Sequence, residues 1–201
     1  TPYIQYGDPW EFLYSVVAAD LNGDGHTDVA AANADDNTIW VLLGEGNGLL
    51  ASPVTFDVPA WPNCVRAGDL DQNGTQDLVV ACLDADKVSI LWGAGNGTFP
   101  NRTDLSASGG PLRIAVGDLE GSDPYPDFAV VTNSGPIWVF RNTGGSIGAP
   151  SSLTVGHPYS IVIDDMNVDG LNDIIVSGYA EVGIISVFLG TGDANFNPGV
   201  I

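Results

Sequence analysis

Short apolar runs alternate with polar, glycine-rich turns along the chain, and no segment has helical periodicity. The runs are rich in β-branched residues and are bounded by turn residues; clear examples are 39–43, 88–92 and 184–189. Runs of this kind predict β-strands. Similar groups of runs recur with a period near 50 residues, and each period holds four of them. The pattern predicts an all-β chain in which every repeat supplies four strands.

Repeats of this length with four strands are typical of β-propeller blades. We place the repeats at approximately 9–56, 57–105, 106–155 and 156–201, within a single propeller domain over 1–201. Both chain ends resemble an outer strand. Two arrangements therefore stay open. The four antiparallel four-stranded blades form a complete ring, or they are part of a larger propeller that is completed by a longer chain or by another copy.

One acidic pattern occurs once in every repeat, and its leading aspartates are 49, 49 and 47 residues apart. Calcium takes six to eight oxygen ligands. Oxygens at loop positions 1, 3, 5 and 9, with the main-chain carbonyl of position 7, can surround such an ion, and a glycine at position 6 permits the sharp turn. The twelfth position lacks the glutamate that an EF-hand requires, and the flanking runs are strands. The pattern therefore predicts a calcium loop within a β-hairpin.

Three copies carry the full pattern and predict three Ca²⁺ sites. Their ligands are Asp20, Asn22, Asp24, His26 and Asp28 in the first loop, Asp69, Asp71, Asn73, Thr75 and Asp77 in the second, and Asp165, Asn167, Asp169, Leu171 and Asp173 in the fourth. The third copy is one residue longer and lacks the central glycine. It keeps Asp118, Glu120 and Asp127 as candidate ligands, and whether it binds metal stays open.

The charge of the chain is strongly negative and concentrated. Its 25 acidic residues against 5 basic ones give a formal charge of −20, and 13 of the acids lie in the four loops. Nucleic acids demand a basic surface, so they are excluded as partners.

No apolar run approaches the 18 residues of a transmembrane helix. Weak calcium loops suit millimolar calcium, which predicts a secreted or cell-surface location. Cys64 and Cys82 flank the second loop, either as a disulfide across the hairpin or as two buried thiols.

The chain resembles the FG-GAP/VCBS repeat family of integrin α-chain heads and bacterial surface proteins. The resemblance rests on the Asp-x-Asp/Asn-x-Asp/Asn-Gly-x-x-Asp loops and on the Leu-Gly-x-Gly-Asn-Gly-x-Phe-like turns at 43–49 and 92–99. It covers nearly the whole chain. It implies a propeller, usually of seven blades, with calcium between the first and second strands on one face and ligands on the opposite face.

The opposite face is expected to carry Trp10, Trp61, His157 and Tyr159, which are candidate contacts for a protein or glycan ligand. Either tryptophan can instead fill a gap between blades. We find no catalytic constellation, so the sequence predicts a non-catalytic, calcium-binding recognition or adhesion module. Two alternatives are a carbohydrate-binding lectin and the non-catalytic propeller of a larger secreted enzyme.

Overall fold

The computed structural model describes residues 4–7, 11–179 and 183–198, which form four antiparallel four-stranded sheets and one short hairpin. Sheet I comprises β1 (Leu13–Ala19), β2 (Asp28–Asn33), β3 (Thr38–Leu42) and β4 (Val54–Asp57). Sheet II comprises β5 (Pro62–Gly68), β6 (Asp77–Cys82), β7 (Lys87–Trp92) and β8 (Asn101–Ser106), with a 3₁₀ turn at Leu83–Ala85. Sheet III comprises β9 (Pro111–Gly117), β10 (Asp127–Thr132), β11 (Ile137–Phe140) and, after the hairpin of β12 (Asn142–Thr143) and β13 (Ser146–Ile147), β14 (Ser151–Leu153). Sheet IV comprises β15 (Pro158–Asp164), β16 (Asp173–Tyr179), β17 (Gly183–Gly190) and β18 (Phe196–Pro198).

The strands of every sheet follow one another in chain order, so each sheet is an up-and-down meander built from one repeat. This confirms the all-β prediction and the prediction of four antiparallel strands per repeat. Within the described residues, no helix is long and apolar enough to cross a membrane.

The sheets stack face to face, and each interface uses the same two faces. We call face A the side of a sheet that carries Val65, Leu78 and Val80 in sheet II. Face B is the other side, which carries Val79, Val88 and Ile90 in the same sheet. Face B of sheet I packs on face A of sheet II, and the same contact joins sheets II to III and III to IV, giving three apolar clusters. In the third sheet the stacked rings of Phe128 and Phe140, whose centroids lie 4.8 Å apart, fill face A.

The series of sheets is open at both ends. Among the described residues, no core cluster joins sheet I to sheet IV. A closed four-bladed ring is therefore absent from the described structure. The outer position of sheet IV is filled by β18. The described N-terminal segment, 4–7, is not a strand, and its Tyr6 packs on face A of sheet I beside Trp40.

Of the two alternatives for Cys64 and Cys82, the structure has the two buried thiols and not the disulfide. Both cysteines are free and buried, but they belong to different cores, with Cys82 between sheets I and II and Cys64 between sheets II and III. Cys64 pairs with Ala81, and a register shift between Pro62 and Cys64 places Pro62 opposite Cys82. Because neighbouring positions of a strand point to opposite faces, the two thiols lie on opposite sides of the sheet. Burial raises the pKa of Cys82 to about 12, so this thiol is also unreactive.

We expect the two thiols to be inaccessible in the folded protein and fully reactive once it is unfolded. A thiol reagent such as DTNB, added without reductant, should release no colour from the native chain and two equivalents in denaturant. Release of no colour even in denaturant would indicate a disulfide and contradict the observed arrangement.

Candidate metal centres

The acidic loops connect the first strand of each sheet to the second, so all four lie at the same edge of the stack of sheets. Glycine occupies the sixth position in three of them, with φ of +83° at Gly25, +84° at Gly74 and +89° at Gly170. This left-handed conformation strains any residue with a Cβ. The turn that the sequence predicted at this position is therefore present in all three loops.

Side-chain oxygens fold each loop by accepting hydrogen bonds from its own backbone. In the first loop the two carboxylate oxygens of Asp20 accept from the amides of Gly23 and Gly25, at 2.8 and 2.9 Å. Asp24 accepts from the amide of His26 at 2.8 Å, and this bond is the main reason that the pKa of Asp24 is lowered. The fourth loop repeats the pattern, and the Gly170 amide lowers the pKa of Asp165. The loops thus hold ionised oxygens in fixed positions, using the turn chemistry of Asp and Asn.

The aspartate at the ninth position has a structural role that the sequence reasoning did not assign. Asp28 is fully buried, and its two oxygens accept separate bonds from the amides of Leu21, at 2.8 Å, and Gly44, at 2.7 Å. These amides belong to the start of the loop and to the end of β3. We call this pair of hydrogen bonds the bracket. Asp77, Asp127 and Asp173 make the same bracket in the other sheets. Each oxygen keeps a second lone pair, so the bracket leaves these residues able to bind a cation as well.

The second loop brings its carboxylates closest together. Single oxygens of Asp69, Asp71 and Asp77 lie within 4.8 Å of one another. Burial raises the pKa of Asp77 to about 6, and the neighbouring charges of Asp71 and Asp69 add to this rise against the lowering effect of its two backbone hydrogen bonds. Three crowded carboxylates of this kind are an oxygen donor set that suits a hard cation such as Ca²⁺. The predicted residues of this loop therefore fit the metal.

The third loop balances its charge with an arginine. Glu120 is buried, and the guanidinium of Arg141, at the end of β11, donates to it directly. Arg141 stands where the equivalent positions of the other sheets have Leu43, Trp92 and Leu189. Asp127 also has a pKa raised to about 6, mainly by burial. The guanidinium of Arg141 thus occupies Glu120, one of the three candidate metal ligands of this loop. The loop motif alone could not reveal this arginine.

The ligand-binding candidates do not converge on one spot. Trp10 lies outside the described residues. Trp61 is half-buried, and its ring lies 6.0 Å from that of Tyr14, which is itself 6.4 Å from Phe12. Tyr159 is exposed in sheet IV and stacks under the guanidinium of Arg113, 5.8 Å away. His157 is also exposed and helps to line a groove of about 590 Å³ between sheets III and IV, together with Asn133 and Thr154.

The described positions nevertheless lie at the edge of the sheets opposite the acidic loops, because they precede or begin first strands or follow second or fourth strands. That edge therefore offers two separate surfaces. One is formed by the rings of Phe12, Tyr14 and Trp61, which we call the aromatic cluster. The other is the groove beside His157.

A sequence profile described as "FG-GAP-like repeat" matches residues 20–80 and 70–121, which together make up just over half of the chain. The chain belongs to the FG-GAP-like repeat family. The profile includes the first two acidic loops and the start of the third, so the loops described above lie within the family's own repeat.

Solved structures support the fold of this FG-GAP-like repeat protein. It is similar to two crystal structures of BBS1N in complex with ARL6DN, one soaked with mercury and the other with lead, with TM-scores of 0.63 and 0.60 at 16% and 15% identity. In both cases 94% of the chain is matched, but it covers only 58% and 52% of the BBS1N structures. The chain thus spans little more than half of the structures that it resembles. No curated protein sequence matches it.

Substituting the aspartate of the bracket and substituting an exposed loop ligand should change the unfolding free energy in different ways. Asp28→Asn removes one acceptor and turns an NH₂ group toward a backbone amide, which should cost about 1–3 kcal/mol in unfolding free energy. Because the loss of these hydrogen bonds does not depend on metal, it should appear in chelator as well as in calcium. Asp24→Asn, in the same loop but exposed, should be nearly silent in chelator and should weaken only the calcium-dependent stability. Denaturant unfolding of both variants in calcium and in EDTA tests the distinction, which fails if Asp28→Asn is harmless in EDTA.

Proposed function

We propose that this FG-GAP-like repeat protein is a non-catalytic recognition module whose fold is stabilised by three calcium ions. The observation that carries the proposal is the set of preformed acidic loops at one edge of the sheets, with the carboxylates of Asp69, Asp71 and Asp77 crowded within 4.8 Å. Among the described residues, no lysine or arginine forms a salt bridge with an acid of the first, second or fourth loop. A divalent cation would relieve the mutual repulsion of these carboxylates.

The ions would be held by the oxygens already assigned from the sequence. In each loop these are the side chains at positions 1, 3, 5 and 9 and the carbonyl of position 7, such as His26 in the first loop. When bound, calcium supplies positive charge and ties the loop to its hairpin. The chain's own residues fix the shape of the loop: the ninth-position aspartate joins it to the third strand, and the sixth-position glycine permits the turn.

The third loop is assigned no calcium in this proposal. Glu120 is already paired with Arg141, and the central glycine is missing. A second cation would have to approach the guanidinium charge and displace it from Glu120, whose side chain is only 4% exposed, and this is unfavourable.

The proposed role is binding, and its location is outside the cell, where weak calcium sites are filled. The cysteines no longer support that location, because they are free. The two histidines lie at opposite edges, with His26 in an acidic loop and His157 before β15, so they cannot share one catalytic site. The related fold of BBS1N occurs in a complex with a protein, ARL6DN. We therefore favour a protein ligand at the edge opposite the calcium loops.

Calcium should raise the stability of the chain substantially. At about 1 mM calcium and a dissociation constant of about 0.1 mM, each site adds about 1.4 kcal/mol, so three sites add about 4 kcal/mol. EDTA should then lower the melting temperature by roughly 8–16 °C for a chain of this size. Magnesium at equal concentration is the control, because it fits large oxygen cages poorly.

Titration calorimetry should give three calcium ions per chain. A melting temperature that does not respond to EDTA would refute the metal proposal altogether. A stoichiometry of four would show instead that the Arg141–Glu120 pair does not replace the metal of the third loop.

Glycan binding is a second candidate function, favoured by the exposed aromatic cluster, since Tyr and Trp rings pack on apolar sugar faces and donate hydrogen bonds at their edges. If it is correct, a glycan array probed in calcium should show selective binding, which Trp61→Ala weakens roughly tenfold or more. Met166→Ala is the matched control, because Met166 is exposed at the opposite edge, in the fourth acidic loop. Absence of any glycan signal, or equal loss in both variants, would count against a lectin.

A further inference from the structure

The two ends of the stack of sheets expose the same apolar faces that form its interior interfaces. Val16, on face A of sheet I, is 63% exposed, whereas its counterparts Val65 and Ile114 are almost completely buried. Ile185, on face B of sheet IV, is 70% exposed, whereas Ile39 and Val88 at the equivalent positions are fully buried. Each terminal sheet therefore presents an interface residue to solvent.

These exposed residues are parts of larger surfaces. Around Val16, a groove of about 410 Å³ is lined by Tyr14, Val29 and Leu42. Its outer part is closed by the N-terminal segment, since Tyr6 packs there with Trp40. At the other end, Val162 is 55% exposed, and Ile175 and Val187 beside it are only half-buried. Exposed patches of this kind mark interaction sites on soluble proteins.

The two surfaces are of complementary type. Every interface inside the chain puts face B of one sheet on face A of the next, and the two terminal sheets carry the same faces only partly covered. On face A of sheet I, Trp40 and Leu42 are buried beside Tyr6 while Val16 is exposed, and on face B of sheet IV both Val162 and Ile185 are exposed. An occupant that continues the established packing must therefore offer face B to sheet I and face A to sheet IV. A second copy of this chain offers both.

The matched architecture also extends beyond a single copy of this chain. The chain aligns over 94% of its length with structures of which it covers only 58% and 52%, so those structures contain more of the same architecture than one copy supplies. We propose that two copies of this chain associate head to tail, with face A of sheet I in each copy packed on face B of sheet IV in the other. A two-fold rotation then closes one ring of eight sheets with no apolar face left open.

The association should be detected by sedimentation velocity and light scattering of the 201-residue chain in calcium, at an ionic strength high enough to screen its charge of −20. The expected species has twice the chain mass of 20.9 kDa. A monomer at every protein concentration overturns the proposal, and so does a ladder of ever larger species, because a closed pair cannot grow.

Single charged substitutions separate head-to-tail pairing from pairing of like faces. Val16→Asp and Ile185→Asp should each raise the dissociation constant roughly a hundredfold or more, because a carboxylate would be buried without a partner. Both sites are exposed in the single chain, so the melting temperature of the monomer should change little. Val54→Asp adds the same charge at a residue that is 54% exposed in β4, outside both proposed contact surfaces, and it should dimerise normally.

Mixing the two defective variants gives the decisive result. A Val16→Asp copy keeps its face B and an Ile185→Asp copy keeps its face A, so an equimolar mixture should form dimers joined by one intact interface, while each variant alone stays monomeric. If either variant alone still dimerises, or if the mixture stays monomeric while the wild-type chain dimerises, the proposed pairing is wrong.

Discussion

The buried aspartate at the ninth loop position is the constraint on which each sheet depends. Its carboxylate lies between the start of the acidic loop and the end of the third strand, and each oxygen accepts one backbone amide, as Asp28 does from Leu21 and Gly44. Burying a carboxylate is costly unless its oxygens are hydrogen-bonded, and an amide without a partner at this point would be costly too. These two hydrogen bonds avoid both costs in every repeat.

The third repeat keeps this bracket while replacing much around it. In the other sheets the second amide comes from a glycine such as Gly93, where a Cβ would lie 2.1 Å from the carbonyl oxygen of Gln76. The third sheet has Asn142 instead, whose side chain donates to the carbonyl oxygens of Leu70 and Pro126. With Arg141 paired to Glu120, this repeat holds its loop by contacts within the protein. The repeats thus share a scaffold, but among the described residues only the third pairs an acid of its loop with an arginine.

Repetition also explains why the chain has uncovered ends. Each sheet has two apolar faces, because it is made to be covered on both sides, and a row of four such sheets necessarily leaves one face open at each end. The interior interfaces bury the counterparts of Val16 and Ile185 almost completely, so the exposure of these two residues follows from their places in the series and not from their local sequence. The same apolar faces that build the stack therefore leave apolar residues exposed at its two ends.

The sequence by itself determined the strands, the four repeats, the acidic loops and the family, because alternation of apolar residues and turn chemistry act over a few neighbouring positions. Only the tertiary structure decided how distant positions meet. It separated Cys64 from Cys82, since a register shift and the two-residue period of a strand put them on opposite faces. It paired Arg141 with Glu120, spread the aromatic candidates over two surfaces and left the ends of the stack open. Those outcomes depend on register and on which sheet packs against which, and no local pattern encodes either.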